Sequence, residues 1–401
     1  MANLGPSPNG YASVCMMRYC GLYEGTASHT QTHTPMSPPI VFLQQGAPAA
    51  LTHLNCALLQ ARWWNPGREI VVIGDAECRA ALVVPGVEFV AIEDFSSSAA
   101  DLRKVYVHLS ANSPEFELFC LERWFVLRDF LRQRQLESVW HFDSDVMVFE
   151  DLSSEDARIA GVDFTFTQIS GHNAYFRINA LEQFCSFILK CYLAEPQTQW
   201  LQASEAARLA AGNPDTISDM FFIGEFKKLD GLRSLDFSVP ASGQSAFDTN
   251  IRFSNGYEMD GDLKQITFTD QQPYALDIET QQLQRFATLH FQYFAKQQMP
   301  RFLRPPGPLP DWSLGALTQL LARMQTMPPP RGEDVRSQEQ KTSRKGSTTP
   351  SLQPIIKNLR SILDSRWLRV GGALKFTRAA RKLEDSLDML RKMKPGSSEQ
   401  K

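Results

Sequence analysis

The sequence predicts an α/β fold in which a mixed, mainly parallel sheet is flanked by helices. Three observations carry that expectation. Short apolar runs of strand length alternate with longer runs of helical period over residues 39–150. Clusters of Gly, Pro and Asn separate these runs. The 401 residues suffice for one large core with extensions, or for two domains.

The elements follow in order. Residues 1–38 are rich in Gly, Ser, Thr and Pro and are expected to be a disordered N-terminal segment. Pro39-Ile40-Val41-Phe42-Leu43 reads as the first strand. Gln44-Gln45-Gly46-Ala47-Pro48 turns it into a helix over 49–63, which Asn65-Pro66-Gly67 ends. Residues 70–75 form the second strand and 87–92 the third, so a βαβ unit with a parallel sheet is expected. A long helix spans 116–135, its apolar residues Leu118, Leu121 and Phe125 spaced for one face. A strand at 139–142 comes next, another at 163–167 and a helix over 180–192. Pro214 to Met220 begins a further helix, and 238–291 reads as short strands and turns. Residues 304–354 have a Pro, Ser, Thr and Gln composition expected of a linker. Residues 355–395 read as a basic amphipathic helical tail, interrupted by Gly371-Gly372, suited to an anionic membrane surface or a partner.

Composition bounds the function. The chain is 43% hydrophobic and 21% charged, ordinary for a globular protein. A formal net charge of −3 gives no general case for nucleic-acid binding. No apolar run reaches the roughly 18 residues of a membrane span, and the N-terminus lacks a secretory pattern. Seven scattered cysteines, with no Cys-x-x-Cys, fit reduced thiols and a cytoplasmic location, with peripheral membrane contact left to the tail.

The chemistry concentrates in Val139-Trp140-His141-Phe142-Asp143-Ser144-Asp145-Val146-Met147-Val148. Asp143 and Asp145 stand two apart where a strand ends, so their carboxylates can converge. Like charges that close repel, and a divalent cation between them removes the penalty. Hard oxygen ligands suit Mg²⁺ or Mn²⁺, and such an ion would also neutralise a diphosphate leaving group. The flanking apolar runs distinguish the pair from a solvated turn, since buried acids need partners.

This segment resembles the Asp-x-Asp element of GT-A fold glycosyltransferases. The downstream His290-Phe291-Gln292-Tyr293-Phe294-Ala295-Lys296 is similar to the His-x-x-Gly-x-x-Lys motif of glycosyltransferase family 8. Tyr293 stands where that motif has Gly. The resemblance covers about residues 39–300 and implies a GT-A domain over 39–303 with a Rossmann-like sheet. It implies transfer of a sugar, with retention, from a nucleotide-diphosphate donor such as a UDP-sugar to an unidentified glycan, lipid or protein. Asp143, Asp145 and His290 would be metal ligands, Mn²⁺ or Mg²⁺ the cofactor, and Lys296 a counter-charge for the diphosphate, which Asp143 also faces.

Other residues keep two readings. Arg123 and Arg128 could contact the donor or pair with Glu122 and Asp129. Asp219 could bind a donor hydroxyl and assist catalysis, or serve as a helix-start carboxylate. Gln44, at the end of the first strand, could face the base or ribose. Ser170-Gly171-His172-Asn173 could recognise sugar hydroxyls or form an ordinary turn. Neither Gly-x-Gly-x-x-Gly nor a Walker-type Gly-Lys-Ser/Thr is present, which argues against a dinucleotide oxidoreductase or P-loop kinase. A sugar nucleotidyltransferase and a non-catalytic scaffold with a degenerate transferase fold are the alternatives.

Overall fold

Ile40 and Phe42 bury on one side of the first strand, Val41 and Leu43 on the other. This period-2 split repeats at Ile70 and Val72 against Val71 and Ile73. A sheet with apolar side chains on both faces needs a layer on each, and two hydrophobic clusters supply them. The computed structural model describes residues 37–46, 51–212 and 217–326.

Strand β1 (Ile40–Gln44) is followed by α1 (Thr52–Trp64), β2 (Ile70–Gly74), α2 (Ala76–Ala81) and β3 (Glu88–Ala91). Helix α3 (Ala99–Val105) precedes the long α4 (Pro114–Arg134). Local chemistry sets both ends of α4. Ser113 caps it by accepting from the Phe116 N–H, Pro114 opens it, and Glu115 and Glu117 sit in the first turn. Gln135, left-handed at φ 55°, closes it.

Next come β4 (Ser138–Phe142), β5 (Val146–Val148), α5 (Asp156–Ile159), β6 (Phe164–Phe166) and β7 (Asn173–Arg177). Helices α6 (Ile178–Leu193), α7 (Gln197–Ala210) and α8 (Asp219–Phe226) precede β8 (Ser234–Asp236). The main sheet has seven strands in the order β3-β2-β1-β4-β7-β6-β8. Its first four are parallel, and β7 runs antiparallel to both β4 and β6. The expected mixed, mainly parallel sheet flanked by helices is therefore present.

The remaining strands are short: β9 (Ala246–Phe247), β10 (Met259–Asp260), β11 (Leu263–Lys264), β12 (Thr267–Thr269), β13 (Gln272–Leu276) and the longer β14 (Leu283–His290). A second sheet orders as β12-β13-β14-β5, with β9 parallel to β14. The chain thus leaves the first sheet at β4 and enters the second at β5, and Asp143-Ser144-Asp145 is the crossing between them.

Part of the linker expectation is corrected. Within 304–354, α9 (Asp311–Thr326) is a regular helix with Leu314, Leu317, Leu320 and Leu321 buried in the core. Ser313 accepts a hydrogen bond from the Trp63 indole at 2.8 Å, and the Arg304 carbonyl accepts from Gln60 and Trp64. The i, i+3, i+6, i+7 leucines satisfy helical period within a stretch whose average composition is polar. Helices α3 and α7 are further elements absent from the sequence reading. The N-terminal segment before residue 37, the linker beyond 326 and the tail 355–395 lie outside the described residues. No helix among the described residues is long and apolar enough to cross a membrane. The five cysteines described, Cys56, Cys78, Cys120, Cys185 and Cys191, are unpaired thiols.

Candidate metal centre

The turn 143–146 is closed by the Val146 N–H donating to the Asp143 carbonyl at 3.0 Å. Convergence of the two carboxylates comes from this turn rather than from strand periodicity. Each acid then takes neighbours from its own sheet. On the β4 side, Phe142 pairs with Asn173 and the Asp143 N–H donates to the His172 carbonyl at 3.0 Å. On the β5 side, Val146 pairs with His290 and the Phe291 N–H donates to the Asp145 carbonyl at 2.9 Å. Sheet register thus delivers His290 to Asp145 across 145 residues of chain.

Asp143, Asp145 and His290 offer ligand atoms that lie within 4.8 Å of one another. Metal bonds of about 2.1 Å set donors at most about 4.2 Å apart across an ion. Small side-chain rotations therefore suffice to seat all three on one cation. The imidazole is already oriented for it. His290 Nδ1 lies 2.7 Å from the Thr249 carbonyl, which can only accept, so Nδ1 carries the proton. Nε2 is left facing Asp145 Oδ1 at 3.4 Å. Two lone pairs aimed at each other need a proton or a cation between them. Burial opposes charge on this ring, but the Asp145 carboxylate more than reverses it and raises the His290 pKa above its ordinary value.

The other charges balance the acids. Burial pushes the Asp143 carboxyl up, and the Arg123 guanidinium with His141 overcomes this, leaving it well below the usual carboxylate range. Asp145 is likewise held low against burial, by His290 and Lys296. Arg123 Nη1 is 2.5 Å from Asp143, and its Nη2 pairs with Asp219. Lys296 Nζ is 3.1 Å from Asp145 Oδ2 and keeps 38% of its side chain exposed. Three carboxylates, Asp143, Asp145 and Asp219, thus face two fixed cations, Arg123 and Lys296.

Each residue singled out in the sequence has a place. Gln44 accepts from the Ser144 hydroxyl at 2.6 Å, so the end of β1 touches the middle residue of the Asp turn. Arg123 is engaged by two acids rather than free, whereas Arg128 pairs with its neighbour Asp129. Asp219 is both the first residue of α8 and a buried member of the cluster. In the 170–173 loop, His172 Nε2 donates to the Asp248 carbonyl at 3.0 Å and Nδ1 accepts from Ser170 at 2.7 Å. Burial, and then the nearby His290, lower the His172 pKa to about 3, so this ring is neutral where it stacks on His290, 3.9 Å between centroids. Gly171 is required there, because a Cβ would stand 2.4 Å from the Trp124 ring.

Three supporting residues escaped the sequence reading. His53 Nε2 lies 3.1 Å from the Ser144 hydroxyl. Asp248 accepts from the His290 backbone N–H at 3.1 Å through one oxygen. Its other oxygen takes Lys264 Nζ at 2.7 Å, both side chains being fully buried. These contacts join residues far apart in the sequence and leave no local periodic signal.

No protein-family model and no curated protein matches the chain. Solved structures of low similarity include the galactosyltransferase LgtC in complex with donor and acceptor sugar analogs. It is 11% identical at a TM-score of 0.34, over 69% of this chain and 99% of that one. Mouse xyloside xylosyltransferase 1 in its apo form is 11% identical at a TM-score of 0.34, over 50% and 84%. Core-mannan synthase A from Aspergillus fumigatus, in an Mn/GDP form, is 10% identical at 0.27, over 51% and 76%. Likeness at this level says nothing of this chain's activity.

Proposed function

We propose that the chain is a metal-dependent glycosyltransferase of GT-A type. It would move a sugar from a nucleoside-diphosphate donor, a UDP-sugar by expectation, to a hydroxyl of a glycan, lipid or protein acceptor. The observation that carries this reading is the convergence of Asp143, Asp145 and His290 on one point with Lys296 beside it. A bound Mn²⁺ or Mg²⁺ supplies Lewis-acid neutralisation of the departing diphosphate. The imidazole in the donor set favours Mn²⁺.

Asp143 and Asp145 would hold the ion by carboxylate oxygen and His290 by Nε2. Lys296 is the counter-ion of Asp145 while no metal is bound. With that carboxylate committed to a metal, the Lys296 ammonium would be available to diphosphate oxygens, where charge develops on bond cleavage. Arg123 is better assigned to fixing Asp143 and Asp219 than to touching the donor directly. Asp219, oriented by Arg123, accepts from hydroxyls of the donor sugar and assists catalysis there. Gln44, whose side chain touches the Asp turn, would face the base or ribose. A retaining outcome rests on the family 8 resemblance alone.

A panel of nucleotide sugars tests this. Purified protein with Mn²⁺ is expected to release nucleoside diphosphate from one of them, and Asp145→Ala or excess chelator to abolish release with folding unchanged. Release of pyrophosphate from a nucleoside triphosphate and sugar phosphate would instead identify a nucleotidyltransferase. Failure to bind any nucleotide with Mn²⁺ would leave the scaffold reading.

A further inference from the structure

Arg252 is a further cation, close to the end of β14 that carries His290. Its segment runs alongside the end of β14, with the Asp248 N–H donating to the Thr288 carbonyl at 3.3 Å and the Ile251 N–H to the His290 carbonyl at 2.9 Å. This register sets Arg252 next to the residues that follow His290. Its guanidinium carbon stands 5.1 Å from the Tyr293 ring centroid and 4.6 Å from that of Phe294. No carboxylate among the described residues forms an ion pair with it.

The peptide from His290 to Lys296 starts at one cluster ligand and ends at an ammonium resting on another, Asp145. The residues between form an arch whose two ends both meet Asp145. At the middle of the arch Tyr293 holds a left-handed φ of 54°, which a bulky side chain disfavours and glycine adopts freely. Tyr293 is 56% exposed, so burial does not explain the choice. Its ring packs against Arg252, and strain kept at such a place points to function.

The geometry points to Arg252, clamped by Tyr293 and Phe294, as a second cationic contact for the donor's diphosphate. This rests on the transferase reading and deepens it. An anion brought to the cluster meets Lys296 from one end of the arch and the guanidinium from its middle. The guanidinium fork suits phosphate oxygens, and the two rings fix its plane before the ligand arrives.

Calorimetry with Mn²⁺ tests the assignment, with UDP compared against UMP and GDP against GMP. Arg252→Gln is expected to weaken diphosphate binding by about tenfold, as for loss of one hydrogen bond to a charged group. Monophosphate binding and Mn²⁺ binding alone should stay near wild type, and Arg252→Lys should restore part of the loss. Tyr293→Asn tolerates the left-handed backbone and removes the ring, so it should weaken diphosphate binding in the same direction. Wild-type diphosphate affinity in a folded Arg252→Gln variant, or equal loss for mono- and diphosphates, would overturn the role. If the wild-type protein binds neither UDP nor GDP with Mn²⁺, the transferase reading itself falls, and this contact with it.

Discussion

His290 donates through Nδ1 to the Thr249 carbonyl, so its Nε2 meets Asp145 with nothing between them but a proton or a metal. Because Asp145 raises the pKa of this ring, the proton is retained above the usual histidine range in the metal-free protein. Metal must displace that proton. Mn²⁺ affinity should therefore climb as pH rises toward the raised pKa, by about tenfold per unit for one released proton, and level off beyond it. Manganese titrations between about pH 5.5 and 8.5, spanning the histidine range, read this directly; a flat profile would remove His290 from the ligand set. At this scale the cluster itself was legible. Asp143 and Asp145 stood out because apolar residues flank them on both sides, and His290 and Lys296 because of their spacing. Asp248 and Lys264 were not, since a buried ion pair within a run of turns has no period to betray it.

Among the elements, the segment between β9 and β11 does more than connect strands. Lys264 bonds both the Asp248 carboxylate and the Asn250 carbonyl, at 2.7 and 2.6 Å, deep in the core. Asp248 in turn fixes the His290 backbone, and Thr249 fixes its ring. Removing one partner of a buried pair leaves the other charged and unpaired, at a cost of about 3–5 kcal/mol. Lys264→Met should lower stability by that order in urea unfolding and weaken Mn²⁺ binding, whereas adding Asp248→Asn should recover much of the stability. A Lys264→Met protein as stable as wild type would show that the pair does not hold the segment. The strands and long helices were legible here because their apolar periods are uniform: β1, β2 and α4 are each within two or three residues of expectation. Helix α7 was missed because only Leu201 is buried along it, so it carries almost no apolar stripe.

For the molecule as a whole, the Asp turn is where one sheet hands the chain to another, which no local window could display. The sequence places the acids at a strand end; only long-range register shows that β5 pairs with β14 and brings two sheets to one point. The same limit explains α9, whose leucines were hidden in a proline-rich average. Those four leucines cover α1, and full burial of each contributes about 1.5–3 kcal/mol. A chain ending at residue 303 should therefore be less stable by about 5 kcal/mol or more than one ending at 326; equal melting of the two would make α9 dispensable. On the proposed function, Asp143, Asp145 and His290 hold one divalent ion beneath a nucleotide diphosphate. Anomalous diffraction from crystals of the protein grown with Mn²⁺ and UDP tests it most directly. A single manganese peak is expected about 2.1 Å from an oxygen of each aspartate and from His290 Nε2, with diphosphate oxygens completing its shell. Ordered nucleotide with no manganese at these three residues, or manganese bound elsewhere, would contradict it.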